Sequence, residues 1–119
     1  MANPIIQIFG RKNCKDTLKA IRFFKERSIK TQFVDLTEKG ISTGELRSIC
    51  KCVSLEELID RNGKEFAKRY LQYMEYDIES ELLNDALLFK TPITRCGQQA
   101  ALGVQPETWK KWITSFKPE

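Results

Sequence analysis

The chain contains no histidine. That absence removes Ser-His-Asp and Cys-His catalysis, histidine-ligated zinc and an imidazole general base together. Any chemistry has to rest on Cys, Lys, Arg, carboxylates or hydroxyls. Long apolar runs are also missing. No stretch approaches the roughly 20 residues needed to cross a bilayer, and the N-terminal MANPIIQIF has neither a basic n-region nor a small-residue cleavage site. The expected location is the cytoplasm, with no membrane partner. Cysteine is sparse, four in all: Cys14, Cys50, Cys52 and Cys96. In a reducing compartment these are thiols, redox groups or ligands rather than a disulfide framework. Scattered as they are, they lack ligand spacing, so no metal site is expected.

What is present describes a folded domain. Apolar residues make up 41% of the 119 and charged residues 30%, a balance long enough and apolar enough for one core without staples. No repeat, low-complexity tract or linker appears, so residues 1–119 read as a single domain. The net charge of +4 is modest, and Lys and Arg are interleaved with acids instead of forming a basic stripe. No direct nucleic-acid partner is expected.

Hydrophobic periodicity orders the elements. PIIQIF, residues 4–9, is apolar enough for a strand buried on both faces, and Gly10 marks a turn. From Lys15 to about Arg27, Leu18, Ile21 and Phe24 recur at helical spacing, with Ala20 and Phe23 widening the stripe. TQFVDL, residues 31–36, reads as a second strand, and a strand-helix-strand order with short connections implies a right-handed parallel unit. Residues 42–89 look largely helical. Thr43 with Leu46 resembles half a capping arrangement, whereas Ser54 followed by Glu57 fits a full capping box. PIT and AALGV are short strands around the turn RCGQQ, with Gly97 at its bend. Pro106 then opens a last helix with an apolar stripe of Trp109, Trp112, Ile113 and Phe116. The order βαβ, helical insert at about 42–89, ββα is that of an α/β thioredoxin-like fold with a four-stranded mixed sheet.

Basic and aromatic residues alternate in KEFAKRYLQYMEYD and WKKW. At helical spacing the aromatics are expected to be mostly core and the lysines solvated, not a nucleic-acid platform.

Within this order, Cys14 falls between the first strand and the first helix. Free N–H groups and the helix dipole there favour a thiolate over a thiol, and Arg11, Lys12 and Lys15 add positive charge. Cys14 is therefore where a nucleophile can be activated without histidine. A small buried hydrophobe filling a helix start is the other reading of the same position.

The run FGRKNCKDTLKA, with KTPIT and the later LGV, resembles the arsenate reductase (ArsC) family, especially its Spx/YffB-like branch. Phe9, Gly10, Lys12, Asn13 and Cys14 match the motif after the first strand, Pro92 the proline-containing strand, and Gly103 with Val104 the segment before the last helix. The resemblance covers nearly the whole chain. It implies a thiol-dependent oxidoreductase with Cys14 as nucleophile on an oxidised thiol, glutathione adduct or oxyanion. It also implies a cis bond before Pro92, with the Thr91 backbone aimed at the thiol. Arg61 takes the place of a family arginine, so Lys12, Asn13, Arg61, Thr91 and Pro92 are the expected substrate-binding residues. The arginine the family places before the strand proline is Thr91 here, and Gly103-Val104-Gln105 replaces another. Neither threonine nor the nearby Lys90 offers a bidentate fork to an oxyanion, which argues against arsenate.

No bound cofactor is implied. Glutathione is the implied co-substrate, and glutathione, glutaredoxin or another thiol the reductant, acting on a monomer. The alternative implied by the Spx branch is a regulator that binds RNA polymerase. Its Cys-x-x-Cys switch is absent, because the residue three after Cys14 is Thr17. Cys50 and Cys52 lie about 200° apart around a helix, unsuited to a mutual disulfide. For these two and Cys96, packing or inert exposure is the expected role, with Cys96 one candidate for a resolving thiol.

Overall fold

The computed structural model describes residues 3–116. Four strands, β1 (Ile6–Gly10), β2 (Thr31–Asp35), β3 (Ile93–Cys96) and β4 (Gln99–Leu102), form one sheet in the order β2-β1-β3-β4. The β1–β2 pair is parallel, with Ile8 opposite Phe33, and the other two pairs are antiparallel, with Phe9 opposite Ile93 and Thr94 opposite Ala101. The first helix, α1 (Lys15–Glu26), makes the crossover between β1 and β2, and the last, α6 (Pro106–Thr114), follows β4. Between β2 and β3 run α2 (Thr43–Ile49), α3 (Leu55–Leu58), α4 (Lys64–Lys68) and α5 (Ile78–Asn84), with 3₁₀ turns at Leu71–Tyr73 and Ala86–Leu88. This is the thioredoxin-like architecture that the element order implies. No helix among the described residues is long and apolar enough to cross a membrane.

Strand alternation sorts the core into two layers. Ile6 and Ile8 face α1 and α6, where they join Ala20, Phe24, Cys96, Ala101, Trp109 and Trp112. Phe9 and Ile93 face the helical insert and pack with Leu46, Ile49, Leu58, Phe66, Leu82 and Phe89. The Trp109 indole N–H donates to Thr94 Oγ1 at 2.9 Å, which satisfies the two polar groups that the first layer would otherwise strand.

The insert is held at its neck. Ile59 and Phe89 form an antiparallel bridge, flanked by the Asp60 N–H donating to Leu88 O at 2.8 Å and the Lys90 N–H to Leu58 O at 2.7 Å. Both Ser54 with Glu57 and Ser42 with Glu45 close full capping boxes, at the starts of α3 and α2. The second differs from the sequence expectation centred on Thr43. Ser42 lies outside the helix with an extended backbone, the geometry an N-cap requires, and Thr43 is the first helical residue.

Two further differences concern side chains and one the backbone. Leu18, expected in the apolar stripe of α1, is exposed, and Thr17 is buried in its place. Tyr70 and Tyr73, among the aromatics expected to be mostly core, are exposed, as is Met74, while Phe66 and Tyr76 pack edge to face. Continuous helical spacing does not extend across this segment, because Tyr70 adopts a left-handed backbone (φ 56°) and ends α4. Gly10 is the last residue of β1 and not a turn.

Candidate functional site: the Cys14 pocket

The site begins with Gly10. A Cβ at this position would overlap Oγ1 and Cγ2 of Thr17, so glycine lets the first turn of α1 pack directly onto the end of β1. The chain then reverses through Lys12 and Asn13, with the Cys14 N–H donating to Arg11 O at 3.0 Å. Cys14 is the N-cap of α1: its backbone is extended, and its carbonyl accepts the first helical bond, from Leu18 N–H at 3.1 Å. Its thiol thus stands at the positive end of a 12-residue helix.

Burial pushes the Cys14 thiol up, but the hydrogen-bonding groups around it outweigh burial and hold it below the ordinary thiol range. These are the hydroxyls of Thr17 and Thr91 and the N–H groups of Thr17 and Asp16, which face the sulfur without closing a capping bond. Thr91 Oγ1 donates to Cys14 Sγ at 3.1 Å, and the sulfur is 3.9 Å from the Thr91 carbonyl oxygen. The Thr17 hydroxyl is buried and has no well-formed hydrogen bond. A hydroxyl hydrogen rotates freely, so this donor is available when the sulfur becomes charged. The Thr91–Pro92 peptide bond is cis, and Pro92 is buried behind the contact.

The thiol opens into a pocket of about 360 Å³ lined by Arg11, Asn13, Cys14, Asp60, Gly63, Lys64, Glu65 and Leu87. Its far wall is the loop after α3 and the start of α4, swung over Cys14 by the Ile59–Phe89 bridge. Glu65 is pushed above the usual carboxylate range, chiefly by a hydrogen bond with Asp85 and then by burial. Burial also pushes Asp85 up, but its bonds from Glu65, the Leu87 N–H and Arg69 win and keep it ionised. The pocket thus mixes basic and acidic side chains, with Arg11 and Lys64 set against Asp60 and Glu65.

Of the residues expected from sequence, Cys14, Asn13, Thr91 and Pro92 come together here. Lys12 does not line the pocket; it is exposed and lies 3.9 Å from the Asp35 carboxylate. Arg61 also points elsewhere: its Nε donates to the Tyr76 hydroxyl at 3.3 Å and its guanidinium to Glu56 O at 3.4 Å. Its neighbours Asp60 and Gly63 reach the pocket instead. Arg11, Asp60, Lys64, Glu65 and Leu87 were not among the expected residues. All but Arg11 lie 46 or more residues from Cys14 and carry no local signal. Arg11 does have one, three residues before the cysteine.

The other cysteines are free thiols at a distance from this chemistry. Cys96 ends β3 opposite Gln99, at the far end of the strand from Pro92, and is buried in the layer of Ile6 and Trp109. Burial raises its pKa, and burial with the Glu79 charge raises that of Cys50. Exposed Cys52 lies 3.6 Å from Gln98 O in the β3–β4 turn. Resolution of Cys14 by Cys96, weighed from the sequence, would need a thiol at the other end of β3 to reach it.

Fold and thiol together place the chain among thioredoxin-like domains with one cysteine at the start of the first helix. Solved structures narrow the fold. A protein described as YFFB aligns with a TM-score of 0.77 at 23% identity, over 89% of this chain and 96% of its own. An arsenate reductase from Vibrio cholerae aligns with 0.77 at 16% identity, over 92% and 98%. An arsenate reductase (ArsC) related protein from Brucella melitensis aligns with 0.64 at 22%, over 92% and 94%. The chain therefore shares the fold of these structures over nearly their whole length. No protein-family model matches it, and no curated protein sequence does.

Proposed function

We propose that the chain is a thiol-dependent oxidoreductase of the ArsC type whose nucleophile is the Cys14 thiolate. The observation that carries this reading is the sulfur itself: placed at the N-cap of α1, bonded by Thr91 Oγ1 at 3.1 Å and open to a pocket. The likeness in fold to proteins named as arsenate reductases supports it. In the reaction, Cys14 S⁻ attacks one sulfur of a disulfide R–S–S–R′. A Cys14–S–S–R bond forms, the R–S–S–R′ bond breaks, and R′S⁻ leaves to take a proton from water. An external thiolate then attacks the R sulfur, forming a new disulfide and returning Cys14 as thiolate. The helix N-terminus and the two threonine hydroxyls stabilise Cys14 as leaving group in this second step, as they do before the first. Both steps need a low-pKa sulfur, and neither needs histidine.

The second thiol is external, since Cys96 and Cys52 lie at the other end of the sheet. Glutathione or a glutaredoxin-type dithiol fits the role. Arsenate fits the pocket less well, because Arg61 is turned to Tyr76 and position 91 supplies a hydroxyl instead of a guanidinium.

The test is a single turnover. Reduced protein mixed with glutathione disulfide is expected to gain one glutathionyl group on Cys14, located by peptide mass spectrometry, and to lose it on addition of fresh thiol. If Cys14 reacts no faster than the exposed Cys52, the reading fails.

A further inference from the structure

Each step of the exchange at Cys14 moves one proton. The departing R′S⁻ has to gain one, and the incoming thiol has to lose one to attack as thiolate. The chain has no histidine to do either. Among the described residues that line the pocket with Cys14, the carboxyls of Asp60 and Glu65 both give and take a proton, whereas Arg11 and Lys64, as cations, have no acceptor. Asp60 Oδ1 accepts the Asn62 N–H at 3.2 Å. Glu65 differs in being hydrogen-bonded to a second acid, Asp85. Two carboxyl groups so joined hold a proton between them. Asp85 is the poorer place for it, because its Oδ1 accepts the Leu87 N–H at 3.0 Å and its Oδ2 an Arg69 N–H at 3.4 Å. Arg69 is fixed in turn by its bond to Glu81. The proton is therefore kept on Glu65, the member of the pair that lines the pocket. The bond to Asp85, then burial and the Asp85 charge, hold it there against the cations Lys68 and Arg69 of the same helix. Arg11, Lys64 and Asp60 are the other charged groups around the pocket.

We propose that Glu65 is the acid and base of the exchange at Cys14, with Asp85 and Arg69 as its positioning residues. In the first step the Glu65 carboxyl gives its proton to R′S⁻ as the disulfide bond breaks, which releases R′SH and leaves Glu65 as carboxylate. In the second step that carboxylate takes the proton of the external thiol as its sulfur attacks the R sulfur of the mixed disulfide. Cys14 leaves as thiolate, and Glu65 is protonated again. No proton is gained or lost over the cycle. The inference rests on the proposed thiol chemistry and adds a second catalytic residue to it.

The test uses two uncharged disulfides that differ in what they release. Bis(2-hydroxyethyl) disulfide releases a basic alkyl thiolate that needs a proton, and bis(4-nitrophenyl) disulfide an aryl thiolate that leaves without one. Second-order rate constants for Cys14 are measured with each near neutral pH, for the natural sequence, Glu65→Gln, Glu65→Asp and Asp85→Asn. Glu65→Gln is expected to lower the alkyl-to-aryl ratio about tenfold or more, and Glu65→Asp to restore part of it. A role in packing alone slows both disulfides alike and leaves the ratio where it was. Asp85→Asn is expected to lower the ratio by less. Should Glu65→Gln fold poorly, Asp85→Asn gives the same comparison from outside the pocket. An unchanged ratio in the folded variant overturns the acid–base role of Glu65 and leaves the thiol chemistry standing. Failure of Cys14 in the natural sequence to react with the aryl disulfide overturns the thiol chemistry itself, and the role of Glu65 with it.

Discussion

Cys14 and Cys96 occupy opposite ends of one sheet, and the same element meets opposite fates there. Cys14 caps a helix, has two hydroxyls near its sulfur and opens to a pocket; Cys96 ends a strand among isoleucine and tryptophan side chains. Burial opposes the charge at both positions. At Cys14 alone, donors are present to outweigh it. Reactivity of a thiol is thus decided by what surrounds the sulfur, and exposure by itself decides little.

The contrast breaks most sharply by substitution. Cys14→Ser is expected to abolish exchange with glutathione disulfide, by at least about 10³-fold, while Cys96→Ser leaves the rate unchanged. Equal losses in both variants, in a kinetic assay on folded protein, would mean that the comparison is wrong.

Next in size is the floor of the site. Gly10→Ala drives a Cβ into Thr17, and in a packed layer such overlap costs about 1–3 kcal/mol. Urea unfolding is expected to show that loss, and the shift of Thr17 is expected to bring the Cys14 pKa back toward its ordinary value. A change confined to stability would separate the glycine from the thiol.

The pH dependence sharpens the comparison directly. Because the Cys14 pKa is lowered, its thiolate forms at lower pH than that of an ordinary thiol, and its iodoacetamide alkylation levels off below the pH at which an ordinary thiol does. Cys50 and Cys96, raised by burial, are expected to level off above that point. The same depression makes ionised Cys14 stabilise the fold above about pH 8.5, an advantage lost as pH falls through its native pKa. Thr17→Val and Thr91→Val each remove one donor, and each is expected to raise the Cys14 pKa, read from the same alkylation curves. Smallest of all is Lys12→Ala. Lys12 is exposed beside the Asp35 carboxylate, and removing it is expected to leave the reaction rate within about twofold.

The readable parts of this molecule are those coded by neighbours in the chain. β1, α1 and β2 follow from spacing within Pro4–Leu36, the Ser54 capping box from a three-residue separation, and α6 from Pro106 and its two tryptophans. The position of Cys14 at a strand-to-helix junction follows in the same way. The rest depends on contacts across the fold. That Arg61 turns to Tyr76 while Asp60 and Lys64 reach Cys14 is decided by how the Ile59–Phe89 bridge sets the loop, which no local pattern encodes. Leu18 and Thr17 exchange places for a similar reason: the empty side of Gly10 admits the threonine, and one residue of rotation takes the leucine to water. Tyr70 shows the limit of periodicity, since a single left-handed residue ends the count.

The neck of the insert has an evolutionary consequence. Leu58 and Lys90 are hydrogen-bonded across it, so the chain between them is a closed excursion that returns to where it left. Closing a flexible loop twice as long costs only about 0.6 kcal/mol more. A change of length confined to the exposed residues 72–75, between buried Leu71 and packed Tyr76, is therefore inexpensive, and leaves Thr91 delivered to Cys14 from the same anchor. Such a change leaves the sheet and the Cys14 site in place, because the excursion begins and ends at the same point.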